Sequence, residues 1–574
     1  MKHPLIPIVR ADGPSLQRKR QAARGRGVEV AALAAVQALI GADPLRRDLL
    51  IEYLHLINDH HGQLATPHLA ALAQLMCLPQ AEVYEVASFY HHFEVVHEAA
   101  DGSVPAPPAL TVRVCDGLPC ELAGAHELLA RLPALLGPQV RVIPAPCVGR
   151  CETAPVALVH QNPVLQATTT AVLAAVEARA TQPEAHAAAG LAVGLDDYVA
   201  RGGYTLLREC HAGQRDVDSV LASLEISGLR GLGGAGFPAG RKWRIVRAEP
   251  GPRMLAVNID EGEPGTFKDR WTLERDPHRF LEGLLIAAWA VGVDQIYLYL
   301  RDEYAACRNL LQAELGRLQA HRPVPQWPAI ELRRGAGAYI CGEESALIES
   351  IEGRRGLPRL RPPYVAQAGL FGRPTLVHNF ETLLWVRELL EKGGAWFAAQ
   401  GRHGRSGLRS FSVSGRVCQP GVKRAPAGIT VQELIDEHCG GMLPGHTLYA
   451  YLPGGASGGI LPARLNGLPL DFDTLQPYGC FIGSAAVIVL SQHDSAVRAA
   501  SNVMRFFEAE SCGQCTPCRV GTSKAVGLIE QPRWDRPLLA ELSQVMRDAS
   551  ICGLGQAAPN AVDCVLKYFD HELL

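Results

Sequence analysis

Residues 228–243 read GLRGLGGAGFPAGRKW, and this glycine-rich loop decides how the central part of the chain is interpreted. It holds a G-x-G-x-x-G pattern at Gly231, Gly233 and Gly236. The preceding segment, VDSVLASLEI, has helical periodicity, whereas the standard dinucleotide-binding turn follows a strand, so we exclude that turn here. Glycines still let backbone N–H groups approach a phosphate, and Lys242 adds a cation. A purely structural glycine-rich turn is the alternative.

Two further loops combine glycine with carboxylates. NIDEGEPGTFKDR (258–270) follows the strand-like segment MLAVNI, and RRGAGAYICGEESALIES (333–350) places adjacent carboxylates after glycine. Each loop alone is also typical of a solvated acidic turn, but ligand sites in α/β proteins lie at the carboxyl ends of strands. Three such loops therefore predict a ligand site. Carboxylates suit ribose or ribityl hydroxyls better than phosphates, which indicates a nucleotide-like ligand near Asn258, Asp260, Glu261, Glu263, Glu343 and Glu344.

Four cysteines form a first constellation. Cys115 and Cys120 are spaced C-x4-C, and Cys147 and Cys151 are spaced C-x3-C. Each pair follows a predicted strand, ALTVRVC or VRVIPAPC, so the four thiols are expected at one edge of a sheet. Four thiolates suit zinc or an iron–sulfur cluster. Structural zinc sites usually use a tighter spacing, which favours iron–sulfur; unconnected core cysteines are the third interpretation.

A second constellation lies near the C-terminus. Cys512, Cys515 and Cys518 are spaced C-x2-C-x2-C, and Cys552 supplies a distant fourth thiol. Three closely spaced thiolates with a fourth from another element are typical of a [4Fe–4S] site, and zinc is the alternative. The remaining cysteines are expected to be small buried hydrophobic residues: Cys77, Cys210, Cys307, Cys341, Cys418, Cys439, Cys480 and Cys564.

Composition limits the class of protein. The 574 residues carry a net charge of −3, so no strong field favours nucleic acid or acidic membranes. The most apolar stretch, residues 284–293, is far shorter than the roughly 18 residues that span a bilayer. The N-terminus, MKHPLIPIVR, lacks the apolar region of a secretory signal. We therefore expect a cytoplasmic protein with no membrane insertion and no nucleic-acid partner. In the cytoplasm, clustered cysteines more often bind metal than form disulfides.

The pattern of helices, strands and loops predicts an α/β multidomain protein. The expected order is a flexible basic extension, a helical cap, a small α/β domain, a larger α/β domain, a small β-rich domain and a helical tail. The corresponding ranges are 1–40, 41–100, 101–180, 195–400, 405–493 and 494–574.

These motifs together resemble the flavin-bearing, NADH-oxidising subunit of respiratory NADH:quinone oxidoreductase. Its relatives occur in NAD-reducing hydrogenases and NAD-dependent formate dehydrogenases. The first cysteine constellation, preceded by ASFYHHF, resembles the thioredoxin-like [2Fe–2S] subunit of the same complexes, here fused into one chain. The chain looks closest to the fused β (diaphorase) subunits of molybdenum- or tungsten-dependent formate dehydrogenases, on the segments RRDLLIEYLHLINDHHGQL, EPGPRMLAVNIDEGEPGTFKDR, DPHRFLEG, AYLPGGASGGILPARLNGLPLDF and GCFIGSAAVIVLS.

The resemblance implies a fold for each domain and a cofactor for each motif. The fold is a helical cap with a thioredoxin-like ferredoxin domain, a Rossmann-like FMN/NAD domain, a small β-grasp-like domain and a C-terminal helical bundle. The implied cofactors are FMN, NAD(H), one [2Fe–2S] cluster on the first cysteine constellation and one [4Fe–4S] cluster on the second.

The resemblance also implies binding residues. Contacts to FMN are implied for Gly231, Gly233, Gly234, Lys242, Asn258, Asp260, Glu261, Tyr339, Gly342, Glu343 and Asn379. Contacts to NAD(H) are implied for Phe237, Glu263, Glu344, Arg361 and Tyr364, with Phe237 and Tyr364 stacking on the adenine. The family usually has K-P-P-F and N-N-x-E-T where this chain has RPPY and HNFET, a departure that touches Arg361, Tyr364 and His378. Arginine keeps the cation and tyrosine keeps the stacking face, so we expect binding to survive.

The implied function is that of a diaphorase subunit of an NAD-dependent formate dehydrogenase. Electrons would arrive from a large molybdenum or tungsten α subunit that carries further Fe–S clusters, pass through the [4Fe–4S] cluster to FMN, and reduce NAD+ by hydride transfer. The reaction needs no side-chain nucleophile, and Glu263 and Glu344 would orient ligands. The [2Fe–2S] cluster would be a side branch. The alternatives are the diaphorase of a hydrogenase or respiratory complex and, in another class, a zinc-stabilised scaffold without catalysis.

Overall fold

The computed structural model describes residues 25–41, 44–183 and 192–573, so most of the expected basic extension lies outside the described residues. Residues 30–40 correct that expectation, because Val30–Ile40 is a helix in which Ala32 and Val36 are buried. Its apolar side chains pack against the helix Thr66–Leu75. The cap therefore begins before residue 40.

The cap is built from short helices that pack on their apolar faces: Val30–Ile40, Leu50–His61, Thr66–Leu75 and Gln80–Phe89. The spacing of apolar residues in VYEVASFYHHF predicts that the last helix runs through the whole segment, but it ends at Phe89 because the following residue is extended. The backbone N–H groups of His91 and His92 instead donate to the carbonyl oxygens of Gly337 and Ala336. Backbone pairing with the next domain thus overrides the helical spacing.

The ferredoxin-like domain is a four-stranded sheet in the order Val140–Ala145, Leu110–Cys115, Ala157–Val159 and Asn162–Val164. Its helices are Leu118–Leu122, Ala125–Leu136 and Thr169–Glu177. The first two strands are parallel, and Cys115 lies opposite Ala145 in their register. Both cysteine pairs therefore follow strands that end side by side. Most apolar residues of the domain form a core of their own, whereas Leu118 joins the core that the rest of the chain shares.

The central domain is built on a parallel sheet in the order Thr375–Asn379, Met254–Ile259, Gln295–Leu300 and Ala329–Arg334. Its helices are Leu195–Ala200, Thr205–His211, Val217–Ser227, Ala239–Ala248, Lys268–Leu273, Pro277–Val291, Ala305–His321, Glu344–Ile351, Phe380–Lys392 and Gly394–Ala398. The glycine-rich loop lies between two helices, Val217–Ser227 and Ala239–Ala248, which agrees with the exclusion of a strand–turn–helix motif. Because the strands are parallel, their carboxyl ends meet at one edge.

The β domain follows as a five-stranded mixed sheet in the order Gly421–Pro426, Leu408–Gly415, Ala486–Ser491, Leu448–Leu452 and Leu461–Pro462. The predicted helix TVQELIDEH forms as Val431–Glu433 continued by the π-helical turn Leu434–His438. Thr430 and Glu433 form a capping box that fixes its start.

The helical tail contains Ala496–Ala509, Thr516–Ile529, Arg536–Ala549, Gly553–Ala557 and Asn560–Tyr568. Its apolar faces join the core that runs through the cap, the central domain and the β domain. In the described ranges, no helix combines the length and the apolarity that crossing a membrane requires.

Candidate functional site

A cavity of about 850 Å³ opens where the glycine-rich loop meets the carboxyl ends of the central strands. This volume lies in the range of small-molecule and cofactor sites. All of the residues to which the sequence assigns FMN or NAD(H) contacts line it: Gly231, Gly233, Gly234, Phe237, Lys242, Asn258, Asp260, Glu261, Glu263, Tyr339, Gly342, Glu343, Glu344, Arg361, Tyr364 and Asn379. The structure thus gathers into one cavity residues that are spread over 149 positions of the sequence, from 231 to 379.

The glycine-rich loop approaches other backbone and ring atoms more closely than a side chain would allow. A Cβ on Gly233 would lie 2.9 Å from the Cβ of Asn379, and a Cβ on Gly236 would lie 2.6 Å from the ring of Phe472. Gly236 also has a φ of +66°, a region that disfavours other residues. The loop therefore presents bare backbone to the cavity. Lys242, on the helix that follows, donates to the carbonyl oxygen of Val377 at 2.9 Å and keeps its charge at the cavity wall.

The end of the strand Met254–Ile259 is tied to the GAGAYICGEE loop. The side-chain amide of Asn258 donates to the carbonyl oxygen of Gly342 at 2.8 Å, and its Oδ1 accepts from the backbone N–H of Asp260 at 2.9 Å. Burial raises the pKa of Asp260 to about 8, and its Oδ2 has no hydrogen-bond partner in the described part of the chain. A buried oxygen without a partner, on a residue that lines the cavity, fits a ligand that brings its own donor.

The carboxylate of Glu261 accepts hydrogen bonds from other residues of the protein. Its carboxylate accepts from the backbone N–H groups of Asp269 and Arg270 at 2.9 and 3.1 Å and from the hydroxyl of Tyr304 at 2.9 Å. Burial, together with the nearby charge of Asp269, raises its pKa to about 7. These contacts hold the start of the helix Lys268–Leu273, so a direct contact from Glu261 to FMN stays a prediction.

Glu263 is fixed by a residue that the sequence did not single out. The backbone N–H and the hydroxyl of Ser457 both donate to its Oε1 at 2.7 Å, and the hydroxyl of Tyr339 donates to its other oxygen. Ser457 belongs to the β domain, in the glycine-rich segment PGGASGG. The signal that could have found it is that run of glycines around one serine.

The paired carboxylates Glu343 and Glu344 are matched by cations. Glu343 caps the helix that follows, accepting from the backbone N–H groups of Ser345 and Ala346, both at 2.9 Å. Arg361 pairs with both carboxylates, at 2.7 and 2.9 Å, and Lys242 lies 3.4 Å from Glu344. The RPPY arginine thus occupies a position where its charge balances the two acids.

Two aromatic rings lie uncovered beside the cavity. The exposed fraction is 39% for Phe237 and 56% for Tyr364, and both residues line the cavity. The guanidinium of Arg241 lies over the Phe237 ring at 5.7 Å. Rings with one free face are suited to stacking on a purine base.

The HNFET segment is held by the central domain. Asn379 caps the helix Phe380–Lys392 through its Oδ1 and donates from its amide to Asp269 at 2.6 Å. The Nε2 of His378 accepts from the indole N–H of Trp243 at 2.7 Å, and burial holds its pKa well below the usual value. His378 is therefore neutral, and both His378 and Asn379 line the cavity.

The first cysteine constellation forms a buried thiol cluster. The Sγ atoms of Cys147 and Cys151 are 3.4 Å apart, and the thiol of Cys115 contacts those of Cys120 and Cys147. The backbone N–H of Gly149 also donates to the Sγ of Cys147 at 3.4 Å. Four buried thiols that lie together in this way fit a small iron–sulfur cluster.

The second constellation lies where helices of the tail begin. Cys515 and Cys552 are the N-cap residues of Thr516–Ile529 and Gly553–Ala557. A Cβ on Gly555 would lie 2.8 Å from the Cβ of Cys518, so the two elements approach as closely as a glycine allows.

This second site borders the cavity. Gly553 and Leu554, directly after Cys552, line its wall. The carboxylate of Glu510, two residues before Cys512, accepts from the backbone N–H of Tyr339 at 2.9 Å. A metal cluster on these cysteines would therefore lie next to the ligand in the cavity.

A nucleotide-sized cavity flanked by two four-cysteine sites defines an iron–sulfur flavoprotein. Models of four protein families match the chain: "Thioredoxin-like [2Fe-2S] ferredoxin" over residues 36–179, "Nuo51 FMN-binding domain" over 224–388, "SLBB domain" over 410–461 and "NADH-ubiquinone oxidoreductase-F iron-sulfur binding region" over 498–574. The chain is 40% identical to the mitochondrial NADH dehydrogenase [ubiquinone] flavoprotein 1 of Dictyostelium discoideum, over 62% of this chain and 78% of that one. It is 39% identical to the mitochondrial NADH-ubiquinone oxidoreductase 51 kDa subunit of Neurospora crassa, over 62% and 76%.

A solved structure with the same arrangement is that of an NAD+-reducing [NiFe]-hydrogenase in the H2-reduced state. It matches with a TM-score of 0.80 and 34% identity over 92% of each chain. The chain belongs to the family of 51 kDa flavoprotein subunits of NADH-ubiquinone oxidoreductase. It is an NADH-dehydrogenase-type diaphorase subunit with an FMN-binding domain, a [2Fe–2S] domain and a [4Fe–4S] region, which confirms the predicted fold and cofactors.

The residues present fit these groups. The bare backbone at Gly233 and Gly236 and the charge of Lys242 suit a phosphate, while the unpartnered Oδ2 of Asp260 suits a donor on the flavin or its ribityl chain. The two sets of four cysteines offer only sulfur ligands, which iron–sulfur clusters require.

Proposed function

We propose that the chain exchanges electrons between NAD(H) and a partner subunit that oxidises or reduces a small substrate. The observation that carries this proposal is that Gly553 and Leu554, next to Cys552, form part of the cavity wall, so a one-electron carrier and a hydride acceptor would be neighbours. FMN, when bound, links the two because iron–sulfur clusters exchange single electrons whereas NAD+ accepts two as a hydride.

Within the cavity we assign the two ligands to different walls. The glycine-rich loop, Lys242 and Asp260 would hold FMN, and Phe237 and Tyr364, exposed beside the cavity, would stack on the adenine of NAD(H). Glu263 is held by three hydrogen bonds and Glu344 is paired with cations, so both suit orientation of a ligand rather than proton transfer. The proposed location is the cytoplasm.

The partner that we propose first is the large molybdenum or tungsten subunit of a formate dehydrogenase, with Fe–S clusters of its own. Its support is the sequence resemblance in segments such as DPHRFLEG and GCFIGSAAVIVLS. The second candidate is a hydrogenase or respiratory complex, and the comparisons favour it. The hydrogenase chain matches 92% of this one, ferredoxin-like domain included, and the relatives named above are respiratory subunits.

The electron donor can be determined on the complex as purified. Formate-dependent NAD+ reduction, with a molybdenum- or tungsten-containing large subunit, would support the first candidate. Reduction driven by hydrogen, with nickel in the large subunit, would support the second. Activity with neither donor, together with assembly into a quinone-reducing complex, would assign the respiratory role.

The diaphorase activity itself has a sharper test. We expect NADH oxidation with an artificial electron acceptor to be lost in Glu344→Ala and retained in Cys115→Ser, because only Glu344 lies in the cavity. Flavin content should be equal in the two variants. Equal loss of activity in both would contradict the site, and a purified protein without flavin or iron–sulfur absorbance would contradict the proposed function.

A further inference from the structure

Arg301 is a buried cation that contacts two sites at once. It follows the strand Gln295–Leu300, and only 4% of its surface is exposed. One amino group donates to the carbonyl oxygen of Glu261 at 2.5 Å, at the cavity wall. The other donates to the carbonyl oxygen of Cys147 at 2.7 Å, on the loop that carries two of the [2Fe–2S] cysteines. A single guanidinium therefore joins the two sites.

The charge of Arg301 forms an ion pair with Glu303, and the carboxyl of Asp260 lies close enough to interact with it as well. Glu303 accepts from it through both oxygens, at 3.0 Å from Nε and 2.9 Å from an amino group. The Glu303 side chain is more exposed than that of Arg301, at 17% against 4%. The cation thus lies against the thiol loop in a buried setting, while its counter-ion lies nearer to solvent. Charges in such low-dielectric surroundings act strongly on their neighbours.

The loop that carries Cys147 and Cys151 packs closely against the central domain. Gly149 has a φ of +69°, and a Cβ there would overlap the hydroxyl of Tyr304, which in turn donates to Glu261. The guanidinium of Arg270 donates to the carbonyl oxygen of Gly149 at 2.8 Å. These contacts leave no gap between the thiol loop and the residues of the cavity wall.

We propose that Arg301 is a positioning residue that ties the [2Fe–2S] loop to the flavin site and raises the reduction potential of that cluster. A buried cation stabilises the reduced cluster, which carries one more negative charge, relative to the oxidised one. The same two carbonyl contacts keep the cluster in register with the flavin site. The inference rests on the proposed function, because it assigns a purpose to the ferredoxin-like domain within that activity.

The sign of the shift separates an electrostatic role from a structural one. In the purified complex, a redox titration followed by electron paramagnetic resonance should show a lower [2Fe–2S] midpoint potential in Arg301→Gln. Glu303→Gln removes the opposing charge and should raise it. Arg131→Gln removes a cation from the ferredoxin-like domain itself, at a side chain that is 57% exposed, and should leave the potential unchanged. The [4Fe–4S] signal serves as an internal reference in every sample.

Shifts of the same direction in Arg301→Gln and Glu303→Gln, or no shift with the cluster intact, would overturn the inference. If Arg301→Gln does not retain iron, Arg301→Lys replaces it. A potential near that of the native protein in Arg301→Lys, together with the upward shift in Glu303→Gln, supports the inference, and no shift in Glu303→Gln overturns it. Failure of NADH to reduce the flavin in the native complex would instead contradict the proposed function, so the two failures are distinguishable.

Discussion

The carboxylates around the cavity differ in what their oxygen atoms contact. Asp260 keeps one oxygen without a partner in the described part of the chain, and burial raises its pKa to about 8. Glu261 accepts only from protein donors, and Glu263 is held by Ser457 and Tyr339. Burial also raises the pKa of Glu263. Of these three acids, Asp260 is therefore the one that keeps an oxygen without a protein donor among the described residues.

Ser457→Ala should weaken NADH binding without loss of FMN. The substitution removes a hydroxyl that donates to Glu263 at 2.7 Å, and a hydrogen bond to a charged group is worth about 1.5–3 kcal/mol. Since 1.4 kcal/mol is a factor of ten, we expect KM for NADH to rise about tenfold or more. Steady-state kinetics with an artificial acceptor and the flavin content of the purified variant measure both effects.

Ser457→Thr is the matched control, because it keeps the hydroxyl and the backbone N–H. We expect it to remain within a few-fold of the native KM. Ser457→Ala kinetics indistinguishable from native would show that the backbone N–H of residue 457 and Tyr339 suffice to hold Glu263.

Phe237→Ala should raise KM for NADH about tenfold while kcat at saturation changes little. Stacking of a base on an aromatic ring contributes about 1–3 kcal/mol, and the Phe237 ring is 39% exposed without bound nucleotide. Leu538→Ala on the helical tail, a residue equally exposed at 39%, is the control and should leave KM unchanged. A native KM in Phe237→Ala would place the adenine elsewhere.

At the scale of elements, the cap is docked onto the loop that leads to Tyr339. The Nε2 of His55, on the helix Leu50–His61, lies 2.9 Å from the carbonyl oxygen of Gly335. Two residues further on, the backbone of the cap pairs with Gly337. The cap thus supports one wall of the flavin site from behind, although none of its described residues lines the cavity.

Docking of the cap should weaken at acid pH. Burial, and then the charges of Arg334 and His92, hold the pKa of His55 well below 6.5, while Asp302 opposes them. Because the undocked His55 binds a proton more readily, its contribution to docking is complete above pH 6.5 and is lost as the pH falls below that value. Hydrogen exchange of the helix Leu50–His61 should therefore accelerate from pH 7 to pH 5.5, after correction for the intrinsic rate.

His55→Gln is the control for this effect, because glutamine retains a donor for Gly335 and does not titrate. Its protection should not fall in the same range, because Glu52 of the same helix, whose pKa burial raises to about 7, favours docking as it binds a proton. An unchanged pH dependence in His55→Gln would assign the effect to another group.

The sequence predicted elements where the pattern was local and failed where contacts were distant. MLAVNI and QIYLYL form strands, and both cysteine pairs follow strands, because burial and side-chain alternation are properties of the segment itself. The YHHF segment leaves the helix and forms a turn because it pairs with a loop about 245 positions away, which no local pattern encodes. Ser457 escaped notice for the same reason, since its partner Glu263 lies 194 residues earlier.

At the scale of the whole molecule, the ferredoxin-like domain is held by polar contacts together with a small apolar contact area. Most of its apolar residues form their own cluster, while Leu118 joins the shared core and Cys147 and Cys151 pack against Phe267. Arg301 of the central domain contacts Cys147, Arg416 of the β domain donates to the carbonyl oxygen of Leu122 at 3.1 Å, and Asn502 of the tail donates to that of Asp116 at 2.8 Å. The second and third contacts lie on the CDGLPC side of the [2Fe–2S] site. Other domains therefore contact both segments that carry the cluster cysteines.

Asn502→Ala should loosen one of these anchors without unfolding the tail. The amide side chain also donates to the Glu121 carboxylate at 2.5 Å, so its loss removes two hydrogen bonds across the interface. The bond to a carbonyl is worth about 1 kcal/mol and the bond to a carboxylate about 1.5–3 kcal/mol. We expect amide exchange in residues 116–124 to accelerate at least fivefold, while the loop from Cys147 to Cys151, held by Arg301, keeps its protection. Ser501→Ala is the control, because the Ser501 hydroxyl bonds only to Val497 of its own helix. Faster exchange in both loops would mean that the domain docks as one cooperative unit, and then Arg301 alone could not hold the cluster in register.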